Sequence, residues 1–132
     1  MEPETVPRRP LFLSIVVILL ALSTASGLVT LLWRRDDFLR AFPAATPAIL
    51  VGYLVTAIAI LASLFGLWRL RPWGLALAVL LVVPALGLDI LAEAPLAHRI
   101  AVVVSTLVVV AAAWPARRVL VPGRHPPAPP AD

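Results

Sequence analysis

The sequence predicts an all-α integral membrane protein whose four helices cross the bilayer as an up-down-up-down bundle. Three observations carry that expectation. The 132-residue chain is 61% hydrophobic and 14% charged, with a mean hydropathy of +1.00, against about 45–50% and 25% in a soluble domain. Nearly all the charge lies outside four long apolar runs, in the tails and in the segments between them. Each of the four tryptophans stands at the end of such a run with an arginine within three residues: Trp33 with Arg34 and Arg35, Trp68 with Arg69, Trp73 with Arg71, and Trp114 with Arg117 and Arg118. Indole rings favour the headgroup zone and arginine reaches back to it, so these ten residues are read as membrane-interface anchors.

Residues 1–10 form a polar tail whose prolines resist helix. The first span, residues 11–33, would be about 34 Å long as a helix, enough for a hydrocarbon core of about 30 Å. A loop from Arg34 to Pro47 follows, with Pro43 and Pro47 discouraging helix. The second span covers about 48–68. The turn Arg69-Leu70-Arg71-Pro72 leads into the third, about 73–91, with Pro72 suited to its first turn. The fourth covers about 97–114. Its valine-rich stretch, 102–110, would suit a strand in water, but a lone strand in lipid leaves its backbone groups without partners, so helix is expected. The spans are apolar on every face, which excludes the alternation of a β-barrel. Together residues 11–114 make one transmembrane domain. Residues 115–132 are expected to be a disordered, proline-rich tail. Arg124, Pro127 and Pro130 have the spacing of an SH3 ligand there, which chance explains in so proline-rich a segment.

With four spans, both tails and the 69–72 turn share one side, which holds seven arginines (8, 9, 69, 71, 117, 118 and 124). The other side holds four (34, 35, 40 and 99). Basic residues are retained in the cytoplasm, so both termini are expected there and the chain is assigned to the plasma (inner) membrane. A cleaved signal peptide competes for the first span, given Arg8-Arg9 and the small residues Ser23-Thr24-Ala25. The apolar run continues to Trp33, beyond a signal core, which favours an uncleaved helix.

Composition narrows function mainly by exclusion. There are no cysteines, so disulfide, thiolate-metal and dithiol chemistry are ruled out. Every basic residue except two histidines is arginine, and lysine, asparagine and glutamine do not occur, a usage that points to a GC-rich, bacterial genome. A pI near 11.4 would suggest nucleic acid in a soluble protein. Here the arginines flank lipid-spanning runs, so the expected partners are the bilayer, anionic headgroups, and a membrane protein or second copy of the chain, not nucleic acid.

No catalytic, metal or cofactor motif is present, and neither an enzyme nor a cofactor is expected. The nearest approach to chemistry is a polar cluster, Asp89, Glu93, His98 and Arg99, at the third-to-fourth turn. Asp89 would lie about 24 Å along the third helix, roughly 6 Å inside the outer edge of the core. Two carboxylates and an imidazole could relay protons or hold a cation; equally, they could cap helix ends at the interface. Pro84 should kink the third span by freeing the Leu80 carbonyl. Small residues four apart, notably Ala62 with Gly66 and Gly74 with Ala78, should let spans two and three pack closely. Gly52 and Tyr53 either add a polar contact or belong to the outer aromatic belt.

On these grounds the leading expectation is a small non-enzymatic protein that assembles, scaffolds or regulates a membrane partner or its own oligomer. The alternative is a channel or transporter subunit for a neutral or apolar solute. That alternative requires Thr24, Ser26, Thr30, Thr56, Ser63, Ser105 and Thr106 to line one cavity. Enzymatic activity would require Asp89, Glu93 and His98 to converge on one pocket.

Overall fold

A computed structural model describes residues 10–116 and is helical almost throughout. Arg8, Arg9, Arg117, Arg118, Arg124 and the proline-rich motif lie outside the described residues. Helix α1 (Leu11–Trp33) is the first span and α3 (Pro47–Trp68) the second. The third is shared by α4 (Pro72–Leu80) and α5 (Val82–Leu91), and the fourth is α6 (Leu96–Ala113), extended by a 3-10 turn, Trp114–Ala116. All four are long and apolar enough to cross a membrane, and only 17% of each span's most apolar window is buried inside the protein. The rest of that apolar surface must meet lipid, because water would make it prohibitively costly. The protein is therefore a membrane protein.

One expectation fails. The segment from Arg34 to Pro47 is not a plain loop, for it contains α2 (Arg35–Ala41). The prolines at 43 and 47 lie beyond its end. Asp36 and Asp37 in its first turn and Arg40 in its last complement the helix dipole. Asp37 also pairs with Arg34 at 2.6 Å and Arg40 at 3.4 Å. Phe38 and Phe42, four apart, turn one apolar face onto the bundle.

The span boundaries have local causes. Thr46 caps α3, accepting from the Ile49 amide, with Pro47 at the first helical position. The third span breaks at a single residue, Leu81, where α4 gives way to α5. Pro84 lacks the amide that would reach Leu80, and its ring crowds that carbonyl, so the break sits just upstream of the proline. Both α3 and α5 end in the same turn. The Arg71 amide donates to Gly66 and Leu70 to Leu67; likewise Ala94 donates to Asp89 and Glu93 to Ile90. This is the Schellman arrangement, with Leu70 (φ 53°) and Glu93 (φ 54°) in the left-handed position that glycine usually fills.

Helix α3 packs on α1, α4 and α5, and α6 packs on the same three, so the spans form a ring. Two apolar clusters close the ends of the ring. One joins Leu13, Val16 and Val17 near the start of α1 to Leu64 and Leu67 near the end of α3, and to Val109, Ala112 and Ala113 near the end of α6. The other joins Phe38 and Phe42 to Ala92 and Ala94, with Leu31, Ile49 and Tyr53 packed against them.

The tightest contact is the α3–α4 hairpin. A Cβ built on Gly74 would lie 2.5 Å from the Leu67 nitrogen and 2.7 Å from the Gly66 carbonyl carbon, so the backbones themselves touch. Ser63 is buried there, and its Oγ donates to the Gly74 carbonyl at 2.8 Å. Gly66 and Gly74 thus meet as expected, but the third member of the contact is Ser63. Ala62 is exposed.

Candidate functional site

Between the two end clusters the four spans border a partly open cavity of about 660 Å³, within the usual range for small-molecule sites, roughly 300–1,000 Å³. Its walls are mostly aliphatic, with Leu20, Leu28, Ile60, Leu81 and Val109 drawn from all four spans. Into this wall are set Thr24, Thr30, Thr56, Ser63, Ser105 and Thr106. Six of the seven hydroxyl residues named from the sequence therefore share one cavity; only Ser26 is not among its lining residues. Several hydroxyls are already satisfied within the protein. Thr30 donates to the Ser26 carbonyl at 3.0 Å, Ser105 to Ala101 at 2.6 Å and Thr106 to Val102 at 2.9 Å. With their protons used, these residues offer the cavity oxygen lone pairs and methyl groups, a lining of low polarity. Gly27 also faces the space, and a Cβ added there meets nothing within 4 Å.

The α2 end of the cavity is different in character. Asp89, near the end of α5, is only 1% exposed. The Tyr53 hydroxyl donates to its Oδ1 at 2.7 Å. His98 Nε2 stands 3.5 Å from the same oxygen, too long for a strong hydrogen bond. Oδ2 is buried with no hydrogen-bond partner. Phe38, Phe42, Tyr53 and His98 line this end of the cavity with Asp89, and their rings pack on one another. Phe38 stacks on Phe42 at 4.5 Å and meets Tyr53 edge-on at 5.5 Å, while Phe42 lies 5.3 Å from Tyr53 and meets His98 edge-on at 5.2 Å. Offset and edge-to-face pairs of this kind contribute about 0.5–1.5 kcal/mol each beyond simple burial.

The structure thus brings together two of the four residues of the expected cluster, Asp89 and His98, and adds Tyr53. Glu93 occupies the exposed turn after α5 and does not line the cavity. Arg99 makes no ion pair with Asp89 among the described residues, and its Nε is buried without a partner. Tyr53 resolves to a polar contact instead of a belt position. Phe38 and Phe42 were hidden by reading the segment from Arg34 to Pro47 as loop, although their spacing of four, between early aspartates and a late arginine, is the pattern of a short helix. The described anchors stand at the span ends, with Trp33, Trp68, Trp73 and Trp114 on the exterior. Arg69 lies over the Phe65 ring at 5.6 Å. Arg117 and Arg118 lie outside the described residues. No family model, curated protein or solved structure matches the chain, so the reading of this site rests on its geometry.

Proposed function

We infer that this membrane protein binds a small, largely apolar solute in the cavity between its helices, as a channel or transporter subunit would. The observation that carries the reading is the gathering of Thr24, Thr30, Thr56, Ser63, Ser105 and Thr106 around one space of about 660 Å³. Hydroxyls also turn inward where helices merely pack, but here they border a space large enough for a small solute. The assembly or scaffolding role rests instead on the apolar exterior, which lipid alone accounts for.

The same reading takes the protein as non-enzymatic. Ser63, Ser105 and Thr106 donate to backbone carbonyls and not to His98, so these hydroxyls are not paired with a base as nucleophilic catalysis requires. We place it in the inner membrane with both termini cytoplasmic, on the arginine distribution of seven against four. Support for the up-down-up-down order comes from the end clusters, in which starts and ends of successive spans meet.

Gly27→Phe provides the test. Gly27 lines the cavity and an added Cβ there meets nothing within 4 Å, so a ring at this position should take up part of the space. The protein should remain folded in detergent yet lose binding of a neutral probe such as decanol, by roughly tenfold or more if the ring takes the probe's place. Unchanged binding would mean that the probe sits elsewhere and the reading is wrong.

A further inference from the structure

We propose that the ligand carries a positively charged amine or quaternary ammonium group, seated at the end of the cavity that Phe38, Phe42, Tyr53 and Asp89 line together. The proposal rests on the cavity's being a solute site and adds the chemical class of that solute: an apolar body with one cationic end.

The argument begins with the cost of Asp89. A carboxyl group at 1% exposure, inside a bundle surrounded by lipid, is costly in its ionised form unless a partner answers the charge. Within the protein the answer is incomplete. Tyr53 supplies one neutral donor to Oδ1, His98 stands at 3.5 Å, and Oδ2 has nothing. The nearby charges do not make up the deficit. Arg99 does not pair with Asp89, and Asp37, which also lines the cavity, adds a second negative charge already engaged by Arg34 and Arg40. What remains is a buried carboxylate oxygen without a donor at one end of an otherwise apolar chamber.

The rings narrow the choice of cation. A metal ion would call for several oxygen or nitrogen ligands, and among the described residues no group of three acidic or histidine side chains could supply them. An organic ammonium needs only one carboxylate and aromatic faces, which attract a cation through their quadrupole. Phe38, Phe42 and Tyr53 line the cavity together with that carboxylate. His98, 46% exposed, stands 3.5 Å from Oδ1, Tyr53 donates to that same oxygen, and Oδ2 is left for the ligand.

The test compares two probes of the same shape on the full chain in maltoside micelles: decyltrimethylammonium, and its carbon isostere in which a quaternary carbon replaces the nitrogen. Wild type should bind the ammonium compound more tightly. Asp89→Asn keeps an acceptor for Tyr53 but removes the charge; it should weaken ammonium binding by roughly 10- to 100-fold and leave the isostere unchanged. The isostere therefore reports on folding in the same experiment. Should Asp89→Asn fail to fold, Phe42→Leu retains the carboxylate and should lower the preference for the cation. Equal affinity of wild type for both probes, or a preference that survives Asp89→Asn, would overturn the proposal and leave the cavity reading standing. Binding of neither probe to wild type would bring down both.

Discussion

Two glycines in the third span show how differently the same residue can be used. At Gly74 an added Cβ would press on the Leu67 nitrogen, the Gly66 carbonyl carbon and the Ser63 oxygen, all backbone atoms within 2.8 Å. None can rotate aside, so Gly74→Ala must push α4 away from α3, at a cost of about 1–3 kcal/mol by overpacking. At Gly87 the added atom meets nothing within 4 Å, and Gly87→Ala should stabilise by roughly 0.5–1 kcal/mol through helix propensity. Thermal unfolding of the two variants in detergent should therefore shift in opposite directions. The sequence identified Gly66 and Gly74 as close-packing residues, but named Ala62 where Ser63 makes the contact. Neighbouring helical positions differ by about 100° around the axis, and a span that is apolar all round offers nothing to tell which of two small neighbours faces inward.

Among the elements, boundaries were the most legible and the short helix the least. Pro47, Pro72 and Pro84 each mark a start or a break because a missing amide has the same consequence wherever it occurs. Helix α2 is hard to read from sequence because its end lies close to Pro43, and proline disfavours helix in the residue before it as well as at its own position. The two Schellman turns lead to a prediction at this scale. Glu93 holds a left-handed backbone, is exposed, and contributes nothing to the cavity. Glu93→Gly relieves the strain and should raise stability by roughly 1 kcal/mol, read as a higher unfolding temperature. Leu70 has the same backbone conformation but packs against the apolar cluster at its end of the bundle. Leu70→Gly should gain less, or lose, since burial is given up with the strain.

For the whole molecule, the four spans were readable because the bilayer imposes length, apolarity and flanking anchors on each one independently. The cavity was not, because it depends on which faces turn toward each other, and that is decided by pairs of helices distant in sequence. Tyr53 and Asp89 are 36 residues apart, and nothing local to either announces the other. Orientation remains a matter of charge counting, with a direct check. A periplasm-dependent phosphatase fused after Asp132 should be inactive, and one inserted after Ala94 active; the reverse pattern would invert the assigned topology.

The Tyr53–Asp89 bond has a consequence for how the hairpin of α3 with α4 and α5 is held in register. Two aliphatic helices in hydrocarbon can slide along one another at little cost, since one turn of leucine and valine resembles the next. A slip of one turn would move Asp89 by about 5.4 Å and strand its carboxylate without a donor. It would also bring side chains where Gly66 and Gly74 now meet. One dowel is steric and the other polar, and they stand at opposite ends of the hairpin. Between them they fix the sliding coordinate that the aliphatic surface leaves free.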